Sequence, residues 1–456
     1  MNKRNISILL LIVILLSLLA GCVSPAGTAN STAATDDYID DGVFRPKFRM
    51  VVCSDIHITD EANIRTERLK NMLSQMNDYA SSNPDDYGRI DALCIVGDIG
   101  HDGTVAEWEL AKKVLDDGMS EDTQLVITTG NHDYYNFAQD SKTEFEKIFG
   151  ADAAQQHIQI GGYDFITVNF DNNGMSCSDS VVQWVDQEVS KAAETAGSDK
   201  PVFVFQHIGN ENTVLGTCSH FLSGNCKNLN PIYAKYPNIV NFSGHTHYLQ
   251  NDDCSIHQKD YTSIGTGTLN YTMRQYNGPE EIPIENKNEV SQVWVIELDG
   301  RHKMRLKVWD VLQEKFLGED RYIEAYSKDS FIYTEDRFTS EDLFFPEGAV
   351  PEVTNVTSDS VALEFPRTAP ESLNGRVYRV DIWTADGTVV DGQLIGINYF
   401  DGKYDEKVSV EFTGLEPNTE YKAKVFAING LYCVDIADFT KTYYSAPIEV
   451  NFKTNK

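Results

Sequence analysis

Residues 51–57 spell VVCSDIH, so an apolar run that favours a β-strand leads directly into an aspartate and a histidine. The same transition recurs four more times along the chain, at Gly97-Asp98, Gly130-Asn131-His132-Asp133, His207 and Gly244-His245-Thr246-His247. Segments with helical spacing of apolar residues lie between the runs, as at residues 64–79. Alternating strands and helices predict α/β layers, in which residues at the carboxyl ends of strands share one site.

The first two runs offer ligands for metal ions. Asp55 and His57 are two residues apart just beyond a predicted strand, so both side chains can turn toward one ion. Asp98 has two carboxylate oxygens and is able to bridge two cations. Each run alone has an ordinary alternative, since Asp and His are common in surface turns and an Asp often caps a helix.

The later runs are more specific. Gly130 permits a tight turn, and Asn131 presents a neutral oxygen ligand. His132 and Asp133 form a possible pair of proton donor and orienting carboxylate. His245 and His247 place two imidazoles directly after a strand.

His207 alone would more often be a core or loop histidine than a ligand. Taken in this order, however, the five runs predict one site for two metal ions. Such sites commonly act on phosphate esters.

The motif order, D-x-H, G-D, G-N-H-D, a single H and G-H-x-H, resembles the calcineurin-like metallophosphoesterase superfamily across residues 46–345. The resemblance implies an α/β (α+β) fold, a four-layer αββα sandwich with two mixed sheets between helices. It also implies ligand roles: one ion held by Asp55, His57 and His247, another by Asn131, His207 and His245, and Asp98 between both. By the same resemblance His132 protonates the leaving oxygen and Asp133 orients His132. His101 receives no role.

The implied chemistry is hydrolysis of phosphomonoesters or phosphodiesters by a metal-activated hydroxide. Mixed Asp, Asn and His ligands suit two ions of Mn, Fe or Zn better than Ca. A small phosphoester, a nucleotide included, is the expected substrate. The chain has 69 acidic against 38 basic residues and a net charge of −31, which argues against long nucleic acids as partners.

Residues 1–21 have the pattern of a secretory signal: Lys3 and Arg4, then an apolar run over residues 6–19 that is too short to span a membrane. The run ends at Leu19-Ala20-Gly21-Cys22, which resembles the bacterial lipoprotein box. This resemblance implies cleavage before Cys22 and a membrane-anchored, extracytoplasmic lipoprotein, with residues 22–45 as a flexible tether. An ordinary secretory signal is the alternative.

Residues 346–456 change in character, with short alternating strands and turn signals that predict a β-sandwich. The run at residues 415–421 resembles the tyrosine corner of a fibronectin type III module, although Phe365 stands where that family usually has Trp. We expect a spacer, or a docking module toward a protein or cell-wall partner.

Seven cysteines remain besides Cys22. Cys53 and Cys94 lie in apolar runs and are predicted to be buried thiols. Cys218 and Cys226 are candidates for a disulfide outside the cytoplasm, while the pairing of Cys177 and Cys254 stays open.

Two other function classes compete with the phosphoesterase. One is a non-catalytic surface binding or adhesion protein with a structural metal site, which would have no need for a proton donor such as His132. The other is a sugar or peptide hydrolase, but the sequence has neither a Gly-x-Ser-x-Gly nor a His-Glu-x-x-His motif.

Overall fold

The computed structural model describes residues 42–82, 87–136, 141–171, 174–218, 229–398, 406–433 and 442–456. The signal segment, Cys22 and Cys226 lie outside these ranges. The elements described belong to one compact unit, Arg45–Lys456. Within the described ranges, no helix combines the length and the apolar character needed to cross a membrane.

The first part of this unit alternates strands and helices. Its strands are β1 Pro46–Cys53, β2 Ala92–Val96, β3 Gln124–Thr128, β4 His157–Ile160, β5 Tyr163–Val168, β6 Val202–Gln206, β7 Ile239–Ser243, β8 Ile256–Gln258, β9 Thr262–Gly265, β10 Gln275–Asn277, β11 Glu280–Ile282, β12 Gln292–Asp299, β13 Met304–Asp310 and β14 Lys315–Ile323. Its helices are α1 Ile64–Ser82, α2 Val105–Gly118, α3 Ser141–Phe149, α4 Asp179–Ala196 and α5 Asn230–Tyr233. Short 3₁₀ turns lie at His132–Tyr134, Lys328–Ser330, Glu335–Arg337 and Ser340–Asp342.

Most of these described strands form two mixed sheets. The first has the order β14-β13-β12-β1-β2-β3, with β1, β2 and β3 parallel and β12 antiparallel to β1. The second has the order β4-β5-β6-β7-β9-β8, with β5, β6, β7 and β9 parallel. Strands β1, β2 and β3 of the first sheet and β6 and β7 of the second end at the motifs, so both sheets contribute to the site.

Strand β1 shows why these runs are continuously apolar. Met50 and Val52 enter the core between the two sheets, whereas Val51 and Cys53 enter the core under the helices. Because successive side chains point to opposite faces, a strand covered on both sides needs apolar residues at every position.

Helices cover the outer face of each sheet. Met72 of α1 and Trp108 of α2 pack on the first sheet, and Val185 and Val189 of α4 pack on the second. Helix α2 begins with a capping box between Thr104 and Glu107, which satisfies backbone N–H groups at its first turn. The layers are therefore helix, sheet, sheet, helix, and the predicted αββα sandwich is confirmed.

The C-terminal part is a β-sandwich, as predicted. Its described strands are β15 Glu352–Val356, β16 Ser360–Pro366, β17 Val377–Thr384, β18 Val389–Gly396, β19 Lys407–Thr413, β20 Glu420–Gly430, β21 Thr442–Tyr444 and β22 Ile448–Lys453. One sheet has the order β15-β16-β19; the other has the order β18-β17-β20-β21, with β22 also paired to β20. Glu416 N donates to the Tyr421 hydroxyl at 3.0 Å, which closes the expected tyrosine corner. Phe365 is fully buried against Tyr378.

The sandwich packs directly on the α/β layers. Leu215, Tyr248 and Leu249 share one apolar core with sandwich residues such as Val380 and Val425. The α/β layers and the sandwich therefore form one packed body, and the expected role as a spacer or a docking module stays a prediction.

The predicted burial of Cys53 and Cys94 is confirmed, and both are free thiols. Cys177 and Cys254 are free thiols as well. The suggested pairing of Cys218 with Cys226 lies partly outside the described residues.

Candidate metal centre

Each of the five motifs directly follows a strand. Strand β1 ends at Cys53, β2 at Val96, β3 at Thr128, β6 at Gln206 and β7 at Ser243. Three of these strands belong to the first sheet and two to the second. The site therefore lies where the carboxyl ends of the two stacked sheets meet.

The backbone is strained at this edge. Five non-glycine residues with positive φ are predicted ligands, namely Asp55 at 55°, His57 at 50°, Asp98 at 53°, His245 at 68° and His247 at 53°. A residue held in this region costs on the order of 1–3 kcal/mol, and such strain clusters at functional sites. Side chains are thus aimed inward at the expense of local backbone stability.

Nearly all predicted ligands meet in two overlapping groups. One contains Asp55, His57, Asp98 and His247, and the other contains Asp98, His207 and His245. Within each group the ligand atoms lie within 4.8 Å of one another. Asp98 belongs to both, which is the geometry needed for a carboxylate between two ions.

The distances around the two carboxylates are short. The Nε2 atom of His247 lies 3.0 Å from Oδ1 of Asp55. The Nε2 atoms of His207 and His57 lie 3.2 and 3.7 Å from Oδ2 of Asp98. Imidazole nitrogens therefore converge on one oxygen of each carboxylate.

The other oxygen of each carboxylate is held by hydrogen bonds. Oδ2 of Asp55 accepts from His245 N at 3.1 Å and from the Ser54 hydroxyl. Oδ1 of Asp98 accepts from His132 N at 2.9 Å. These bonds fix each carboxylate and turn its second oxygen toward the histidines.

Backbone carbonyls orient two of the imidazoles. His207 Nδ1 lies 2.8 Å from Val96 O, and His247 Nδ1 lies 2.9 Å from Tyr271 O. A carbonyl only accepts, so Nδ1 carries a proton, and when the ring is neutral its lone pair lies on Nε2, which faces the site. This is the usual outer support of a metal-binding histidine.

Several buried atoms in the site have no hydrogen-bond partner within the described ranges. They include Asp55 Oδ1, His207 Nε2 and Asn131 Oδ1, which is the oxygen predicted to bind the second ion. Buried polar atoms of this kind are costly unless something satisfies them. A pair of cations would satisfy all three, and the mixed oxygen and nitrogen donors fit Mn, Fe or Zn.

The charges of the cluster keep its carboxylates ionised. Burial would raise the pKa of Asp55, but His247 and His207 outweigh it and lower the pKa to about 2. Burial would likewise lower the pKa of His207, yet Asp98 raises it to about 9. Burial, together with His207, lowers the pKa of His245 to about 4. Neutral His245 and ionised Asp55 are the forms that bind cations.

His132 has a different orienting partner from the one expected. Its Nδ1 atom lies 2.7 Å from the carbonyl oxygen of His101. The imidazole is half-buried, next to His57 and His101, with which it forms a third group of convergent ligand atoms. A proton on Nδ1 is therefore held by the His101 carbonyl, and Nε2 lies 3.3 Å from the Tyr135 hydroxyl.

Asp133 instead organises the backbone between two motifs. Its carboxylate accepts from Gly130 N at 2.8 Å, Gly100 N at 3.0 Å and Ile99 N at 3.2 Å, and from Trp108 Nε1 at 2.9 Å. The predicted direct contact from Asp133 to His132 is wrong, because these four donors occupy the carboxylate. Burial and the nearby Asp98 raise the pKa of Asp133 to about 6.

Two glycines are required by close approach. A Cβ at Gly130 would overlap Oδ1 and N of Asp98. A Cβ at Gly97 would lie 2.5 Å from His207 Nδ1, and Gly97 also has φ of +82°. The backbone at these positions therefore packs against the ligands themselves.

Two tyrosine rings flank the cluster. Tyr271 stacks on His247 with ring centroids 4.3 Å apart, and Tyr135 lies 4.3 Å from His132 and is 59% exposed.

Sequence reasoning missed the supporting roles of Ser54 and Trp108, because their partners lie in other motifs or carry no distinctive spacing.

Comparison with known proteins agrees with both resemblances. Residues 48–249 match the family of calcineurin-like phosphoesterases, and residues 349–433 match the fibronectin type III domain. No protein of curated function matches the chain. One similar solved structure is a computationally redesigned β-sandwich protein, 23% identical over 23% of this chain and 86% of that chain, with a TM-score of 0.17.

Proposed function

With a calcineurin-like phosphoesterase domain at residues 48–249 as the premise, we propose that the protein is a dinuclear metal-dependent hydrolase of phosphomonoesters or phosphodiesters. The observation that carries the proposal is the pair of ligand groups that share Asp98. Structural metal sites are usually closed and surrounded by four ligands, whereas two adjacent ions with a common carboxylate suit phosphoryl transfer.

Each of the two ligand sets draws on motifs from both sheets. Asp55, His57 and His247 would hold one ion, and Asn131, His207 and His245 would hold the other. Asp98 would lie between them. When bound, the two ions supply positive charge to the phosphoryl oxygens and acidity to the attacking water.

The residues of the chain would position the leaving group and supply a proton to it. The ligands other than His245 are buried, whereas His132 is half-buried and Tyr135 is exposed. The leaving group would therefore lie on the His132 side, where the site opens. His132 Nε2 would donate the proton to the leaving oxygen while the His101 carbonyl fixes the ring through Nδ1.

Asp133 supports this arrangement indirectly. It binds the backbone N–H groups of residues 99, 100 and 130, and it thereby holds the turn that presents Asn131 and His132. A carboxylate with four donors is rigid, and rigid positioning is a large part of catalysis.

The location of the enzyme follows from the N-terminal segment. Lys3 and Arg4, the apolar run and the small residues before Cys22 support a lipid-anchored, extracytoplasmic protein. An acyl-modified Cys22 would tether the hydrolase to the membrane surface. Mass spectrometry of the mature N-terminus tests this proposal, and an unmodified chain that begins elsewhere would contradict it.

The catalytic proposal is tested with a substrate panel. Protein freed of metal and reloaded with Mn²⁺, Fe²⁺ or Zn²⁺ is incubated with p-nitrophenyl phosphate, bis(p-nitrophenyl) phosphate and nucleotides. We expect turnover of at least one ester class that depends on the added metal. Metal binding without turnover of any ester would instead favour the non-catalytic binding protein.

A further inference from the structure

The β-sandwich contacts the loops that support the second half of the metal centre. The backbone N–H of Gly216 donates to the carbonyl of Tyr432, at the end of the sandwich segment that follows β20, at 2.9 Å. Residue 216 lies in the loop that follows His207. A sandwich carbonyl therefore fixes a loop that starts at one predicted ligand.

The same loop packs against the Gly244-His245-Thr246-His247 motif. A Cβ at Gly216 would lie 2.9 Å from Thr246 Cβ and 2.9 Å from the Tyr248 ring. Thr246 stands between His245 and His247. The backbone at residue 216 is thus packed between the sandwich and the residue that joins these two ligands.

A buried ion pair anchors the chain just beyond His247. Arg376 of the sandwich donates to Asp252 twice, from Nε at 3.0 Å and from Nη2 at 2.6 Å. Arg376 is 3% exposed and Asp252 is 2% exposed. Asp252 also accepts from Cys254 N at 2.7 Å and donates its own N–H to Leu249 O at 3.2 Å. A paired, bidentate contact of this kind fixes geometry, and its loss leaves a buried charge unpaired.

The sandwich also contacts the segment that begins at Tyr271 and leads into the β10–β11 hairpin. In this hairpin, Ile282 packs with Val377 and Ile428 of the sandwich. At its base, Tyr271 accepts from His247 through its carbonyl and stacks on the His247 ring. The sandwich therefore makes three separate contacts with segments that lie next to one predicted ligand, His247.

We propose that the β-sandwich is a brace of the metal centre, and that Arg376 is a positioning residue for His245 and His247. The inference rests on the proposed metal centre, but not on turnover. Two of the six histidine and aspartate ligands lie on the braced segment, so sandwich docking and metal affinity are coupled. An independent adhesion module would show no such coupling.

The first test measures Mn²⁺ binding by calorimetry on the full chain. Arg376→Gln removes the bidentate contact, and Arg379→Gln is the control, because Arg379 lies on β17, which begins one residue after Arg376, and pairs at 2.9 Å with Asp381 inside the sandwich. Circular dichroism first establishes that both variants are folded at the temperature used.

We expect Arg376→Gln to weaken binding of Mn²⁺ by about tenfold or more, as changes to residues that support metal ligands do. Arg379→Gln should bind as the wild type does. A folded Arg376→Gln protein with the wild-type isotherm would overturn the brace and leave the phosphoesterase proposal standing. A wild-type protein that binds no metal would overturn both.

The second test needs no variant and remains valid if Arg376→Gln does not fold. Coupling is reciprocal, so a sandwich that favours metal binding must itself be stabilised by the metal. Hydrogen exchange with and without Mn²⁺ should slow at the amides of Gly216 and Arg376, which bond to Tyr432 O and Ile428 O. The amide of Gly387, in the turn between β17 and β18, should not change. Equal exchange at Gly216 and Arg376 in both states would refute the coupling.

Discussion

His57 and His247 direct their Nε2 atoms at each other across 3.2 Å in the buried centre of the site. His247 donates from Nδ1 to Tyr271 O, so in the neutral ring the lone pair lies on Nε2. Oδ1 of Asp55 lies 3.0 Å from the same nitrogen. A cation among these three atoms would be coordinated by both imidazoles and by the carboxylate oxygen. This convergence predicts strong and specific effects of the following changes.

Asp98 is the residue common to both ligand groups, so Asp98→Asn should weaken binding of both ions. Outer supports of metal ligands contribute about 10–100-fold in affinity, and a shared ligand should contribute more. Calorimetry with Mn²⁺ and hydrolysis assays measure the two effects. Asp164→Asn is the control, because Asp164 is also buried and lies 3.0 Å from a histidine, His157, outside the site. Near wild-type Mn²⁺ binding by Asp98→Asn would contradict the shared-ligand assignment.

His132→Gln should separate catalysis from metal binding. The residue is assigned to proton donation, so we expect kcat to fall by about 10²–10⁴-fold with unchanged affinity for Mn²⁺. The loss should be smaller for p-nitrophenyl esters than for alkyl esters, because p-nitrophenolate leaves without a proton. An equal loss for both leaving groups would argue against His132 as the general acid. His157→Gln serves as the control for replacing a histidine that pairs with carboxylates.

Gly130→Ala should disturb the site although it adds only a methyl group. The new Cβ would overlap Asp98, whose Oδ1 must also accept from His132 N. We expect metal affinity to fall while the fold persists, as judged by calorimetry and circular dichroism. Gly265→Ala is the control, because a Cβ there meets only ordinary contacts of 3.6 Å or more. A Gly130→Ala protein with normal affinity would show that the turn can move away from Asp98.

His257 predicts a pH dependence of stability away from the metal centre. It is 2% exposed, and burial together with the Arg337 charge lowers its pKa to about 4, from an unfolded value of about 6.5. The unfolded chain therefore binds the proton first, and folding stability falls as pH drops through this window. His257→Phe should remove about 2 kcal/mol of the stability difference between pH 7 and pH 5, measured by urea unfolding. An equal loss of folding stability between pH 7 and pH 5 in the wild type and in His257→Phe would contradict this prediction.

Much of the site could be predicted from sequence because its ligands obey local rules. Asp55, Asp98 and His245 each follow an apolar strand, and the carboxyl ends of parallel strands converge by topology alone. That two sheets meet at the site is implied by the family resemblance alone. Periodicity likewise indicates α1 and α2, with ends that differ by a few residues from those observed.

The rest depends on contacts between distant parts of the chain. Arg376 and Asp252 are 124 residues apart and belong to different layers, so no local pattern links them. The backbone carbonyl of His101, which orients His132, leaves no trace in side-chain composition. The sequence predicts that Asp133 orients the neighbouring His132, whereas the turn directs the Asp133 carboxylate to backbone N–H groups across the loop.

Two ions at one centre are proposed to drive ester hydrolysis, and a stoichiometric titration measures how activity depends on the number of ions bound. Metal-free protein receives Mn²⁺ in fractions of an equivalent, while bound metal and the hydrolysis rate of bis(p-nitrophenyl) phosphate and p-nitrophenyl phosphate are measured together. We expect activity toward at least one ester to rise until two equivalents are bound and then to stay constant. Saturation at a single equivalent, or two bound equivalents without hydrolysis of either ester with Mn²⁺, Fe²⁺ or Zn²⁺, would contradict it.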